Sequence, residues 1–156
     1  LAEETGSLFL QGYVHRMIDA ANLRTAVRVL RMGQGTEFLE GILFPGGNME
    51  VERLLTGING GSMLEELYAS SPLARAAESG AMAARGGSLT QFEKDCDDAV
   101  LDEVRRAQFV AFGEAPVIAY LAAKEAEILA IRIILTGRWA DLAPDIIRGR
   151  LREAYV

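Results

Sequence analysis

Apolar residues recur every three to four positions through most of the chain, which predicts a succession of amphipathic helices. The first long helix is predicted over 7–33, with Ser7 as its N-cap. Another is predicted over 88–112, where Ser88-x-x-Gln91 forms a capping-box pattern. Apolar and polar residues nowhere alternate over a length sufficient for a strand. The sequence therefore predicts an all-α helical bundle.

Shorter helices are predicted between these two long ones, separated by turns rich in glycine and proline. Their predicted bounds are 48–57, 62–69 and 71–84. Asn48 is expected to cap the first of them and Gly57 to end it, while Pro72 suits the first turn of the third. Pro45-Gly46-Gly47 is expected to form a tight turn before them.

The most apolar segment is 117–137, which contains no internal proline or glycine. One seam at helical spacing consists of Val117, Leu121, Ile128, Ile131 and Leu135. Two further lines along the same helix are apolar or small, and a helix that is apolar on nearly every side is predicted to be buried. Gly137 is expected to end this helix, and Pro144 to open a short one after it.

Charged side chains are set into this apolar helix, namely Lys124, Glu125, Glu127 and Arg132. Because burial of an unpaired charge is costly, each needs a partner or contact with water. The two glutamates are expected to pair with Arg24 or Arg28 of the first helix. Arg132 is expected to pair with Asp19 or with an acidic residue of helix 88–112. Together with Asn22 and Tyr120, these residues either fix how the helices dock or contact a partner protein directly.

Composition narrows the class of protein. A net charge of −6 argues against non-specific nucleic-acid binding, which needs clustered Lys and Arg. The single cysteine, Cys96, excludes an internal disulfide framework and suits a reducing compartment. No apolar run approaches the roughly 20 residues of a transmembrane helix. The length predicts a single helical domain over 1–156, with possible units 1–87 and 88–156.

No constellation for catalysis or metal binding is found in the sequence. His15 is the only histidine, and the glycine-rich turns lack the lysine of a phosphate-binding loop. Asp97, Asp98 and Asp102 of helix 88–112 are interpreted as a solvated acidic face and not as a carboxylate metal cluster. A metal-dependent hydrolase using Glu93, Asp97 and Glu125 is the weakest alternative, because these residues lack a fixed ligand spacing. No catalytic residue, cofactor or metal is therefore predicted.

Three segments of the chain resemble one known family. The C-terminal segment reads Tyr120-Leu-x-x-Lys124-Glu125-x-Glu127-Ile128-x-x-Ile131-Arg132-x-Ile134-Leu-x-Gly137, with a basic stretch and Tyr-Val at the end. The first helix contains Asp19-x-x-Asn22-Leu23-Arg24 and the following turn reads Leu43-Phe44-Pro45-Gly46-Gly47. These patterns resemble the C subunit, also called the d subunit, of the V-type and A-type rotary ATPases. One departure is Ala130, where the family often has Asn.

The resemblance implies a function that the residues alone do not indicate. It implies a non-catalytic, socket-shaped subunit of pseudo-repeated helix units, of which this chain is the C-terminal portion. The implied partners are the central-stalk subunits and the membrane proteolipid ring, in ATP-coupled proton or sodium transport. Such a subunit is expected in the cytoplasm, peripheral to the membrane. The alternative is a free-standing helical domain that binds a ligand or regulates another protein.

Overall fold

The computed structural model describes residues 2–153, apart from the side chains at positions 3 and 108. The Tyr-Val end of the C-terminal resemblance lies outside the described residues. The α-helices are α1 Leu8–Arg31, α2 Val51–Asn59, α3 Leu64–Leu67, α4 Ala74–Ala84, α5 Leu89–Arg105, α6 Ala115–Trp139 and α7 Pro144–Arg150. Since residues 2–153 contain no strand, the all-α prediction is confirmed.

Two predicted helix starts are correct in detail. The Ser7 hydroxyl accepts a hydrogen bond from the backbone N–H of Leu10 at 3.1 Å. The Ser88 hydroxyl accepts one from the N–H of Gln91 at 3.3 Å. Each bond satisfies a helix N–H that has no partner within the helix, which is why the capping pattern located both starts.

Several predicted helix boundaries are wrong, including the starts of α2 and α4, which begin at Val51 and Ala74 and not directly after Asn48 and Ser71. Tertiary packing accounts for two of the wrong helix ends. Gly57 lies inside α2 and Gly137 inside α6. A Cβ at Gly57 would come within 2.5 Å of Leu67, and one at Gly137 within 2.8 Å of Ile147. Both glycines therefore permit close helix contacts and do not end helices. Another wrong end is that of α5, which stops at residue 105 and continues as a 3₁₀-helix to residue 109.

The main hydrophobic core forms where α1, α4 and α5 pack together, with α3 against α4. Its largest fully buried side chains include Leu23, Tyr68, Leu73 and Phe92. A second, smaller cluster joins the end of α5 to the start of α6 through Leu101, Val104, Ala107, Ala115 and Ala119. Because α5 contributes to both clusters, it is the central element of the bundle. The division into units 1–87 and 88–156 stays a prediction.

The prediction that α6 is buried on nearly every side is wrong. Within α6 only Ala115, Ala119 and Gly137 are buried. The predicted core seam is exposed, with Val117 at 61%, Ile128 at 57% and Leu135 at 62% of full exposure. The helix packs on α5, α7 and one side of α1, and the described residues supply no element for its remaining faces.

Packing around Gly80 gives a prediction about stability. A Cβ at this position would lie 2.9 Å from Cγ2 of Val27 and 3.0 Å from Cε2 of Phe92. We expect Gly80→Ala to lower the free energy of unfolding by about 1 kcal/mol, since overpacking outweighs the helix-propensity gain of alanine. The control is Gly149→Ala in α7, where a Cβ meets nothing within 4 Å. That variant should gain about 0.5 kcal/mol. Urea denaturation measures both, and equal effects at the two sites would contradict the packing argument.

Candidate functional site

Asp19 and Asn22, predicted as pairing or contact residues, hold the turn that follows α1. The Asp19 carboxylate accepts hydrogen bonds from the backbone N–H of Asn48 at 3.1 Å and of Met49 at 2.9 Å. It also accepts one from the Asn48 side-chain amide at 2.9 Å. Asp19 is therefore a turn-binding residue, and the prediction that it could meet Arg132 is wrong. The Asn48 side chain serves this contact, and α2 takes Glu50 as its N-cap residue.

Asn22 completes the attachment of the same turn. Its side-chain amide donates to the carbonyl of Phe44 and its oxygen accepts from the N–H of Phe44, both at 2.8 Å. Gly47 passes so close to the Asp19 carboxylate that a Cβ there would overlap it. The Asp-x-x-Asn pattern and the Pro-Gly-Gly turn are thus two halves of one contact, which explains their occurrence together.

The arginines of α1 pair with α5, and the expected pairing with α6 is wrong. Arg24 contacts Glu93 at 2.7 Å and Asp97 at 2.5 Å. Arg28 contacts Glu93 at 2.6 Å. Arg31 donates to two backbone carbonyls near the end of α4. The basic face of α1 is therefore used within the chain, against acidic residues of α5 and carbonyls at the end of α4.

The charged residues of α6 lie on its exposed surface. Lys124 pairs with Glu127 on the same helix at 2.6 Å, and its ammonium lies 5.8 Å from the ring centroid of Tyr120. Glu125 and Arg132 make no ion pair among the described residues. The expectation that these charges join α6 to α1 or to the acidic helix is therefore wrong. A role in contacts with a partner stays a prediction.

The interpretation of Asp97, Asp98 and Asp102 as a solvated face is wrong for Asp98, and two further carboxylates of α5 are buried as well. Asp95, Asp98 and Glu103 are 4%, 1% and 8% exposed. Arg75 of α4 contacts Asp95 at 3.1 Å and Asp98 at 3.4 Å. Burial raises the pKa of the Asp98 carboxyl, although the backbone N–H of Glu153 donates to it at 2.9 Å and opposes this shift.

A buried ion pair between α1 and α5 was missed by the sequence analysis. Arg16 contacts Glu103 at 2.9 Å, and both side chains are at most 10% exposed. Arg16 also donates to the carbonyl of Ala99 at 3.3 Å. A signal for it exists, because Arg16 interrupts the apolar line of α1 between Tyr13 and Ala20. A charge within an apolar line indicates a buried pair.

The segment after α7 returns to α5 through polar contacts. Arg152 contacts Asp97 at 2.6 Å, and Glu153 contacts Arg105 at 3.0 Å. This part of the predicted basic end therefore neutralises acidic residues of the same chain. Arg148 pairs locally with Asp145 at 3.0 Å.

No group of three His, Cys, Asp or Glu side chains among the described residues is arranged to hold a metal ion. The arginine and carboxylate clusters around α5 neutralise one another through ion pairs. None of the helices between residues 2 and 153 is long and apolar enough to cross a membrane.

The single cysteine gives a prediction about reactivity. Cys96 is fully buried, and burial raises the pKa of its thiol to about 12. Because the thiolate is the reactive form, we expect Cys96 to resist maleimide at pH 7 in the folded chain and to react fully in denaturant. Mass spectrometry of the labelled chain checks this. Rapid stoichiometric labelling of the native protein would contradict the burial of the Cys96 side chain in the core.

Comparisons with known proteins agree with the observed motifs. Residues 2–150 match the family model described as ATP synthase (C/AC39) subunit. Over 99% of its length the chain is 24% identical to the C subunit of the V-type sodium ATPase of Enterococcus hirae. It is 29% identical over 89% of its length to the C subunit of the A-type ATP synthase of Haloferax volcanii, and 32% identical over 96% to that of Halobacterium salinarum. No solved structure gives a significant match.

The chain spans less than half the length of these relatives, namely 47%, 40% and 43%. The family model nevertheless covers almost the whole chain, including both halves of the Asp19 contact and the exposed α6. The chain therefore belongs to the ATP synthase (C/AC39) subunit family, which includes the C subunits of V-type and A-type ATPases.

Proposed function

We propose that this chain acts as a non-catalytic rotor adaptor, which links the central stalk of a V-type or A-type ATPase to the membrane proteolipid ring. In this role it transmits torque between ATP chemistry and the transport of protons or sodium ions. It works at the cytoplasmic face of the membrane, as part of the complex. The observation that carries the proposal is the family match over residues 2–150.

The structure supports such a role through stiffness and surface chemistry. An adaptor that transmits torque needs helices that cannot slide, and ion pairs hold α5 to α1 and α4 on both of its sides. Glu125 and Arg132, which have no ion pair among the described residues, lie on the surface of α6. We propose that they contact a neighbouring subunit, since an exposed charge on a partner surface contributes specificity and association rate.

Co-purification from native membranes tests the proposal. The subunit should be recovered with proteolipid and stalk subunits at low salt, and in smaller amounts at high salt, because ionic contacts are screened. Arg132→Glu should reduce recovery at low salt. The control is Arg53→Glu on α2, which reverses an exposed charge away from α6.

Two outcomes would overturn the proposal. A subunit that elutes alone at both salt concentrations is a free-standing helical ligand-binding or regulatory domain. Equal recovery of the two charge-reversal variants, both below that of the unmodified subunit, would assign the loss to general charge and not to a contact by α6.

A further inference from the structure

The segment 32–52, between α1 and the first turn of α2, presents a surface that the proposed function does not use. Three of its apolar side chains are buried in the main core, namely Leu39, Leu43 and Met49. Four others are between 42% and 60% exposed, namely Met32, Phe38, Ile42 and Phe44. Single exposed apolar residues are ordinary, but four in one short segment indicate a contact surface. We name the exposed side chains of this segment the 32–52 surface.

Hydrogen bonds hold the segment in a defined conformation. The Asn22 side chain binds both backbone polar groups of Phe44. The Thr36 hydroxyl donates to the side-chain oxygen of Asn59 in α2. A surface that is ordered before its partner arrives loses little conformational entropy on binding. The exposed rings are therefore presented on a frame that suits recognition.

The same segment holds most of the unbalanced negative charge of the chain. It contains four glutamates and no basic residue, which gives a formal charge of −4 against −6 for the whole chain. The glutamates are Glu37, Glu40, Glu50 and Glu52, and all four are exposed. None of them forms an ion pair within residues 2–153, with the adjacent Arg53 or with any other residue. The carboxylates of α5, by contrast, are neutralised by arginines of the same chain.

This charge excludes several kinds of occupant. Four carboxylates repel an anionic membrane surface and nucleic acid. A second copy of the chain that used the same surface would place −4 opposite −4. A divalent cation needs converging oxygen ligands, and no group of three acidic, His or Cys side chains among the described residues is arranged to hold one.

A basic protein segment complements both features of the 32–52 surface. Its Lys or Arg head groups would meet the glutamates, and their alkyl stems would cover the exposed apolar side chains. A guanidinium group also stacks favourably on the face of a phenylalanine ring.

We propose that the 32–52 surface docks a basic segment of a neighbouring subunit, whose lysine or arginine side chains contact Glu37 and Glu40. The same side chains lie against Phe38 and Phe44. The inference rests on the proposed function, because that role supplies the neighbouring subunits. Arg53→Glu, the control for α6, adds negative charge beside this surface and should leave the contact intact.

Cross-linking in the assembled complex in native membranes tests this. The photoreactive residue p-benzoylphenylalanine replaces Phe44, and in a control variant it replaces Met82 of α4, because both side chains are 57% exposed. On irradiation, the Phe44 variant should cross-link to a neighbouring subunit within a segment rich in Lys and Arg, which mass spectrometry identifies. The Met82 variant should give no cross-link to that segment.

Charge reversal tests the ionic part of the contact. Glu50 and Glu52 also lie at the start of α2, where the helix dipole favours a negative charge, so Glu37 and Glu40 are changed instead. Glu37→Lys with Glu40→Lys should lower the cross-link yield at position 44 about tenfold at low salt, because complementary charges speed association. Glu78→Lys on α4, which reverses another exposed charge, should leave the yield unchanged.

Thermal unfolding separates loss of the contact from loss of the fold. The charge-reversal variants should melt at the same temperature as the unmodified subunit, because these glutamates are exposed and form no ion pair among the described residues. A lower cross-link yield at an unchanged melting temperature then reports the contact itself.

Four outcomes would overturn the proposal. A cross-link to a neutral or acidic segment would contradict the charge argument. A cross-link within the same subunit, or one to a second copy whose yield rises with concentration, would assign the surface to a different occupant. Absence of a Phe44 cross-link in a complex that contains the stalk and proteolipid subunits would overturn this inference and leave the rotor role intact. A subunit that elutes alone overturns the rotor role itself, so the two failures are distinguishable.

Discussion

Arg16→Met is expected to lower the free energy of unfolding by about 4 kcal/mol, because loss of one member of a buried ion pair leaves an uncompensated charge. The Glu103 carboxylate, 8% exposed, would lose its contact at 2.9 Å and keep only the more exposed Arg106 at 3.2 Å. A loss of this size is a large part of the stability of an ordinary domain. Urea denaturation monitored by circular dichroism measures it.

The same carboxylate supplies the control. Arg106 is 67% exposed, and Arg106→Met should cost less than about 1 kcal/mol since water replaces an exposed partner readily. The double variant Arg16→Met, Glu103→Met should recover most of the loss, because no buried charge is left unpaired. Equal losses for Arg16→Met and Arg106→Met would show that burial does not govern this pair.

Asp19→Ala is expected to lower the free energy of unfolding by about 3 kcal/mol, since hydrogen bonds to a charged acceptor are stronger than neutral ones. The variant removes the acceptor for the backbone N–H groups of Asn48 and Met49, and the hydrogen bond from Met49 is buried. Asp19→Asn keeps one acceptor oxygen and should cost about half as much. Urea denaturation and hydrogen exchange of the Met49 amide measure the two effects.

Gly47 provides a coupled test of the same contact. Gly47→Ala places a Cβ against the Asp19 carboxylate and should cost about 2 kcal/mol alone. In the double variant with Asp19→Ala, the loss of free energy of unfolding should be well below the sum of the two single losses. The carboxylate that the new Cβ would displace is already absent in that variant. Additive losses would mean that the turn and the carboxylate act independently.

Local patterns in the sequence were sufficient for the helices and for the family. Capping at Ser7 and Ser88 located helix starts, because a cap depends only on residues within one turn. The Asp19 and Asn22 pattern pointed to the family, as the match over residues 2–150 shows. These features are local in the chain, and a single sequence contains them completely.

Which acidic side chain each arginine contacts depended on the tertiary structure. The arginines of α1 had acidic candidates on two helices, and only the packing of α5 against α1 selected Glu93 and Asp97 over the glutamates of α6. Burial of Asp98 and Glu103 follows from the same packing, since a carboxylate on a helix is solvated or buried according to the neighbour that faces it. Arg16 and Glu103 are 87 residues apart in the sequence, a separation that helical periodicity does not connect.

The α6 helix shows most clearly that a sequence pattern does not determine which surface is buried. Its sequence is apolar on nearly every side, but the prediction that it is buried is wrong within the described residues. Covering an apolar surface is favourable in free energy, but the surface is buried only where another element lies in contact with it. The sequence by itself thus determined the helices, the caps at Ser7 and Ser88 and the family of this protein. Only the tertiary structure decided which charges pair, which glycines admit a neighbouring helix and which apolar face is left uncovered by the described chain.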